Sequence, residues 1–67
     1  MLEYKEGQVY INTNDRLFLL SWNDQANNYF YIKELGGIQE YWIRKSDFVN
    51  NFELANKAAQ LLYGESE

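Results

Sequence analysis

The sequence predicts an α+β fold: a small antiparallel β-sheet of four to five strands, a meander, with one C-terminal amphipathic α-helix. Three observations carry it. Between residues 7 and 45, short apolar and aromatic runs alternate with clusters of turn formers. Gly36-Gly37 sits between two such runs, where a tight hairpin needs positive φ. From Ser46 onward the apolar spacing changes from two to three and four, which is one face of a helix.

The elements follow in order. In "GQVYIN" (7–12), Val9 and Ile11 alternate around Tyr10, a short strand entered at Gly7. "NTND" supplies side chains that bond their own backbone and tolerate turn geometry. "RLFLLSW" (16–22) is a nearly continuous apolar strand, followed by the polar loop "NDQANN". "YFYIKEL" (29–35) and "IQEYWIRK" (38–45) form the hairpin. A single helix is expected over 46–63, with Ser46 as N-cap and Asp47 in the first turn. Phe48, Phe52, Ala55, Ala59 and Leu62 would form its buried stripe, widened by Leu54, Ala58 and Leu61. Glu53, Lys57 and Gln60 would lie opposite, Gly64 would end it, and 64–67 would be a frayed tail. A competing reading breaks this segment into a turn at "SDFVNN", a short strand at "FEL" and a shorter helix.

With Gly36 and Gly37 in the loop, paired residue numbers on the last two strands sum to 73 and Lys33 faces Glu40. A four-residue loop through Leu35 and Ile38 keeps the same alternation. One face then carries Phe30, Ile32, Tyr41 and Ile43, the other Tyr29, Tyr31, Trp42 and Arg44. Even-residue turns upstream would add Leu17 and Leu19 to the first face and Val9, Phe18, Leu20 and Trp22 to the second. The C-terminal helix would sit on the first face. The second must curl on itself, pack on another copy, or stay open for a partner.

Composition narrows the chemistry. At 67 residues the chain is one small domain, 1–67, which buries only about 60% of its unfolded surface. It has no Cys for disulfides and no His for transition metals, so aromatic burial must support the core. The balance of ten acidic against six basic residues, a net charge of −4, argues against double-stranded nucleic acid. "MLEYKEG" lacks signal-peptide regions and no apolar run spans a bilayer, so a cytoplasmic protein without a membrane partner is expected.

No pair of carboxylates, nucleophile motif or phosphate-cradling loop points to catalysis, and the expectation is a non-enzymatic protein without cofactor or metal. The oxygen-rich turns "NTND" and "NDQANN" lack the pattern of a Ca²⁺ loop. Binding through an aromatic face made of Trp22, Tyr29, Tyr31, Trp42 and Arg44 is the leading reading, since Trp, Tyr and Arg dominate binding hot spots. Acidic candidates for contact with a basic partner are Asp15, Asp24, Glu34 and Glu40, with Glu3 and Glu6.

In size and strand count the chain resembles small phage SH3-like domains, which implies a sheet curled toward a barrel. Eight Asn, no Pro and a preponderance of residues with AT-rich codons point to a phage or mobile element. The expected role is a stoichiometric inhibitor or modulator of a host defence or nucleic-acid-processing protein in the host cytoplasm. Alternatives are a homo-oligomer that sequesters a nucleotide-like ligand, and a stacking platform for single-stranded nucleic acid.

Overall fold

From Val9 to Arg44 the chain runs as an antiparallel meander. The computed structural model describes residues 4–64. Its elements are β1 (Val9–Asn12), β2 (Leu17–Asp24), β3 (Tyr29–Glu34), β4 (Glu40–Arg44), α1 (Lys45–Asn51), β5 (Phe52–Leu54) and α2 (Lys57–Tyr63). The sheet order is β4-β3-β2-β1-β5, so β4 and β5 are the two edges and the sheet stays open instead of closing into a barrel. Of the expected tail at 64–67, residues 65–67 lie outside the described residues, as does Glu3.

The β3–β4 register follows the expected sum of 73, including Lys33 opposite Glu40. The loop has four residues, closed by Glu34 N–H donating to the Gln39 carbonyl. Only Gly36 takes a positive φ, +81°, so the two-residue turn is not formed.

Two parity shifts upstream correct the expected faces. A β-bulge between Leu20 and Trp22 moves Phe18 and Leu20 to the Phe30/Ile32 face and Leu17 and Leu19 to the aromatic face. The β1–β2 loop is odd, residues 13–15, with Asp15 in the left-handed region at φ 62°. Asn12 Oδ1 accepts from the N–H groups of Asn14 and Arg16, both at 2.9 Å, and this braces the turn. The second shift cancels the first, so Val9 stays on the aromatic side as expected and Tyr10 joins the core.

The single helix over 46–63 is also corrected: the segment breaks at the short strand of the competing reading, with a seven-residue helix, α1, where that reading has a turn. Asn50 and Asn51 are poor helix formers, and β1 has a free edge whose backbone groups another strand can bond. Phe52–Leu54 supplies that strand, with Tyr10 opposite Leu54 and Asn12 opposite Phe52. Arg44, not Ser46, is the N-cap of α1, without a side-chain bond. Asn56 caps α2 by accepting from Ala59 N–H at 2.9 Å, and Gly64 ends it. Of the expected helical stripe, Phe48, Phe52, Ala55 and Ala59 are buried, whereas Leu54, Leu61 and Leu62 are exposed.

Two clusters hold the sheet, one on each face. On one face α1 seats Phe48 among Tyr10, Phe30 and Phe52, with Phe18, Leu20 and Ile32 beneath. Tyr10 donates its hydroxyl to Gln8 Oε1 and accepts from Lys5 N–H, each at 3.1 Å. Burial raises the Tyr10 pKa, and the Lys5 bond offsets part of that rise. Its folded value therefore exceeds its unfolded value near 10, so the neutral phenol's stabilisation is fully present below that pH and lost as pH rises through the folded value. Urea midpoints measured from neutral to alkaline pH should fall for the native protein and fall less for Tyr10→Phe.

On the other face, and not on the first as expected, α2 covers Val9, Leu19 and part of Leu17 and Leu35 through Ala59, helped by Ala55 just before the helix. Gln60 latches it, although the helical spacing places it on the solvent side. Its Oε1 accepts from Val9 N–H at 2.8 Å, and its Nε2 donates to the carbonyls of Val9 at 2.6 Å and Ala55 at 3.2 Å. Val9 is fully buried, so Gln60→Ala leaves its N–H without a partner. Chemical denaturation should show a loss of about 1–3 kcal/mol, against almost none for the exposed Lys57→Ala.

Candidate functional site

Seven residues of α2 span about 10 Å, while five strands spread over about 19 Å. The helix therefore covers the β1–β2 side of its face and leaves the β3–β4 side open. Three cross-strand rows lie there. Trp22, Tyr31 and Trp42 stand directly opposite one another on β2, β3 and β4. Asp24, Tyr29 and Arg44 form the row toward the β2–β3 turn, and Leu19, Lys33 and Glu40 the row toward the β3–β4 loop.

The middle row is the apolar centre. Trp22 is 58% exposed and Trp42 51%, large areas for indoles that have a helix available on the same face. Tyr31 and Trp42 hold each other, with ring centroids 4.9 Å apart. The even β2–β3 loop, residues 25–28, brings Trp22 into this row, and the bulge at Ser21 then turns Leu20 and Phe18 to the core face.

Polar residues border the row. Tyr31 donates its hydroxyl to Glu40 Oε1 at 2.6 Å, and this bond raises the Tyr31 pKa. Arg44 Nε–H reaches the Tyr29 hydroxyl at 3.4 Å, a long bond that helps raise the guanidinium pKa further. Asp24 accepts from Asn27 Nδ2 at 2.9 Å and from Asn27 N–H at 3.3 Å, and these bonds hold its carboxyl below the ordinary value.

The aromatic set expected from the sequence (Trp22, Tyr29, Tyr31, Trp42 and Arg44) is thus one contiguous surface, joined by Asp24 and Glu40. Asp15 lies apart in the β1–β2 turn. Glu34 points to the opposite face and forms an ion pair with Arg16 at 2.8 Å, its side chain only 9% exposed. Glu6 accepts from Asn23 N–H at 2.8 Å. Leu61, Leu62 and Tyr63 are exposed on α2, although the helical spacing places Leu61 and Leu62 in the buried stripe, and Ile38 at the hairpin tip is 97% exposed.

Beside the aromatic row, Asn27, Asn28, Tyr29, Arg44, Lys45 and Ser46 line an open cleft of about 470 Å³. Its cationic character is diluted, since Lys45 Nζ lies over the Phe30 ring at 5.2 Å from the centroid. No helix among the described residues is long and apolar enough to cross a membrane. No protein-family model, curated protein or solved structure matches the chain.

Proposed function

We propose that the protein acts without catalysis, by stoichiometric binding of a protein partner through the open aromatic face of β2, β3 and β4. The observation that carries this reading is the half-exposed row Trp22–Tyr31–Trp42. An apolar centre ringed by Asp24, Arg44, Lys33 and Glu40 has the layout of a binding hot spot within a polar rim. The acidic body suits a partner with a basic surface, whose approach it would accelerate. Composition adds the biological setting: a phage or mobile-element accessory protein that inhibits or modulates a host defence or nucleic-acid-processing protein in the host cytoplasm.

A second reading rests on the cleft beside Tyr29. One ring, the Arg44 guanidinium and Ser46 could hold a nucleotide-like ligand, although Lys45 is turned toward Phe30. Single-stranded nucleic acid is the weaker form of that idea, because the net charge of −4 opposes a polyanion.

The deciding experiment is affinity capture with the native protein and with Trp22→Ala/Trp42→Ala. A partner retained by the native protein and lost by the folded variant supports the protein-binding reading. Retention by both contradicts it. Nucleotide binding that needs Arg44 but neither indole would favour the second reading.

A further inference from the structure

We infer that β4 is a self-pairing edge, and that a second copy of this chain adds to it antiparallel about a two-fold axis centred on Trp42. Among the described residues β4 has no outer neighbour in the sheet order, and at five residues it is the longer edge, against three for β5. α1 leaves the end of β4 and crosses the core face toward β5, away from the free edge.

The hydrogen-bond parity fixes which groups are on offer. Glu34 N–H bonds the Gln39 carbonyl and Lys45 N–H bonds the Asn28 carbonyl. In an antiparallel ladder bonded pairs alternate with non-bonded ones, so Tyr41 and Ile43 point their backbone groups at β3. The N–H groups of Glu40, Trp42 and Arg44 point outward.

The sequence of β4, "EYWIR", is complementary to itself in that geometry. With Trp42 opposite the second copy's Trp42, each chain donates its Trp42 N–H to the other's Trp42 carbonyl. Each Arg44 N–H then meets the other copy's Glu40 carbonyl. On the aromatic face Glu40 lies opposite the second copy's Arg44, and Arg44 opposite its Glu40, so both charged positions are matched. On the core face Tyr41 lies opposite Ile43. Shifting the register either way shortens the overlap and breaks both charge matches. Charges at an edge ordinarily repel other strands; here their order along the strand selects an antiparallel copy of itself. The joined sheet also continues the aromatic row across both copies, Trp22–Tyr31–Trp42 meeting its two-fold equivalent.

So short an edge makes a small interface, hence a reversible dimer that depends on concentration. Self-association of the isolated protein is independent of what the aromatic face binds, so either reading can fail alone. The test is sedimentation equilibrium of the intact protein over a concentration series, with circular dichroism as the control for folding. The native protein should dimerise. Glu40→Arg and Arg44→Glu should each weaken the dimer at least about tenfold, because like charges then face each other twice. Mixing these two variants should restore association, as each supplies the charges the other lacks. Arg44→Pro should fold, since Arg44 has φ −63° and its N–H faces outward, yet fail to dimerise. A native protein still monomeric at millimolar concentration would overturn the inference. So would a dimer indifferent to both charge reversals and to the proline.

Discussion

Phe48→Ala is expected to abolish folding of the isolated protein. Phe48 has no exposed surface and meets four rings: Tyr4 at 5.7 Å, Tyr10 at 5.1 Å, Phe30 at 5.0 Å and Phe52 at 4.4 Å. The Phe52 contact is a parallel stack and the others are edge-on, so the ring is the hub on which α1, β1, β3 and β5 converge. Truncating such a residue costs about 3–5 kcal/mol, transfer and cavity terms together. A chain of this length has a total stability of about 3–10 kcal/mol. The loss therefore consumes most or all of it. Near-ultraviolet circular dichroism should lose its aromatic signal, and urea unfolding should lose its cooperative transition. A variant that unfolds within about 1 kcal/mol of the native protein would remove Phe48 from the centre of the core.

The indoles differ from Phe48 in both burial and contact. Trp42 rests on Tyr31 along one side, and Trp22 is more exposed still. Removing an aromatic pair of this kind costs about 0.5–1.5 kcal/mol beyond the area it buries, and about half of each indole stays in water. Six Tyr, four Phe and two Trp are thus divided by position: the phenylalanines build the core, and the tryptophans stand on the open face.

Much of that face was legible in the sequence, for particular reasons. Lys33 opposite Glu40, together with the glycine pair, sets the β3–β4 alternation, and an even loop of either length preserves it. That alone places Tyr29, Tyr31, Trp42 and Arg44 together. Trp22 joins them because its loop to β3, residues 25–28, is even as well.

What was not legible lies where one residue changes parity. A bulge at Ser21 has no side-chain signature, since Ser fits a regular strand equally well. The odd loop at 13–15 places Asp15, not a glycine, at positive φ, and Asp tolerates that region without advertising it. The break after Asn51 is decided by tertiary demand. Phe48 and Phe52 suit one helical face, yet β1 needs an edge partner, and local propensity yields to that need. The helical spacing places Gln60 on the solvent side for the same reason: its role exists only once β5 brings α2 back over Val9.

The row Trp22–Tyr31–Trp42 is proposed as a binding surface and not as a supporting part of the core. Trp22→Ala/Trp42→Ala separates the two. Hot-spot aromatics are worth about 2 kcal/mol or more each at an interface, and every 1.4 kcal/mol is about tenfold in affinity. The decisive measurement is a calorimetric titration of the captured partner with the native protein and the doubly substituted one. At least about a hundredfold loss of affinity in a variant that still unfolds cooperatively is the predicted result. Unchanged affinity, or a variant that no longer folds, would contradict the claim.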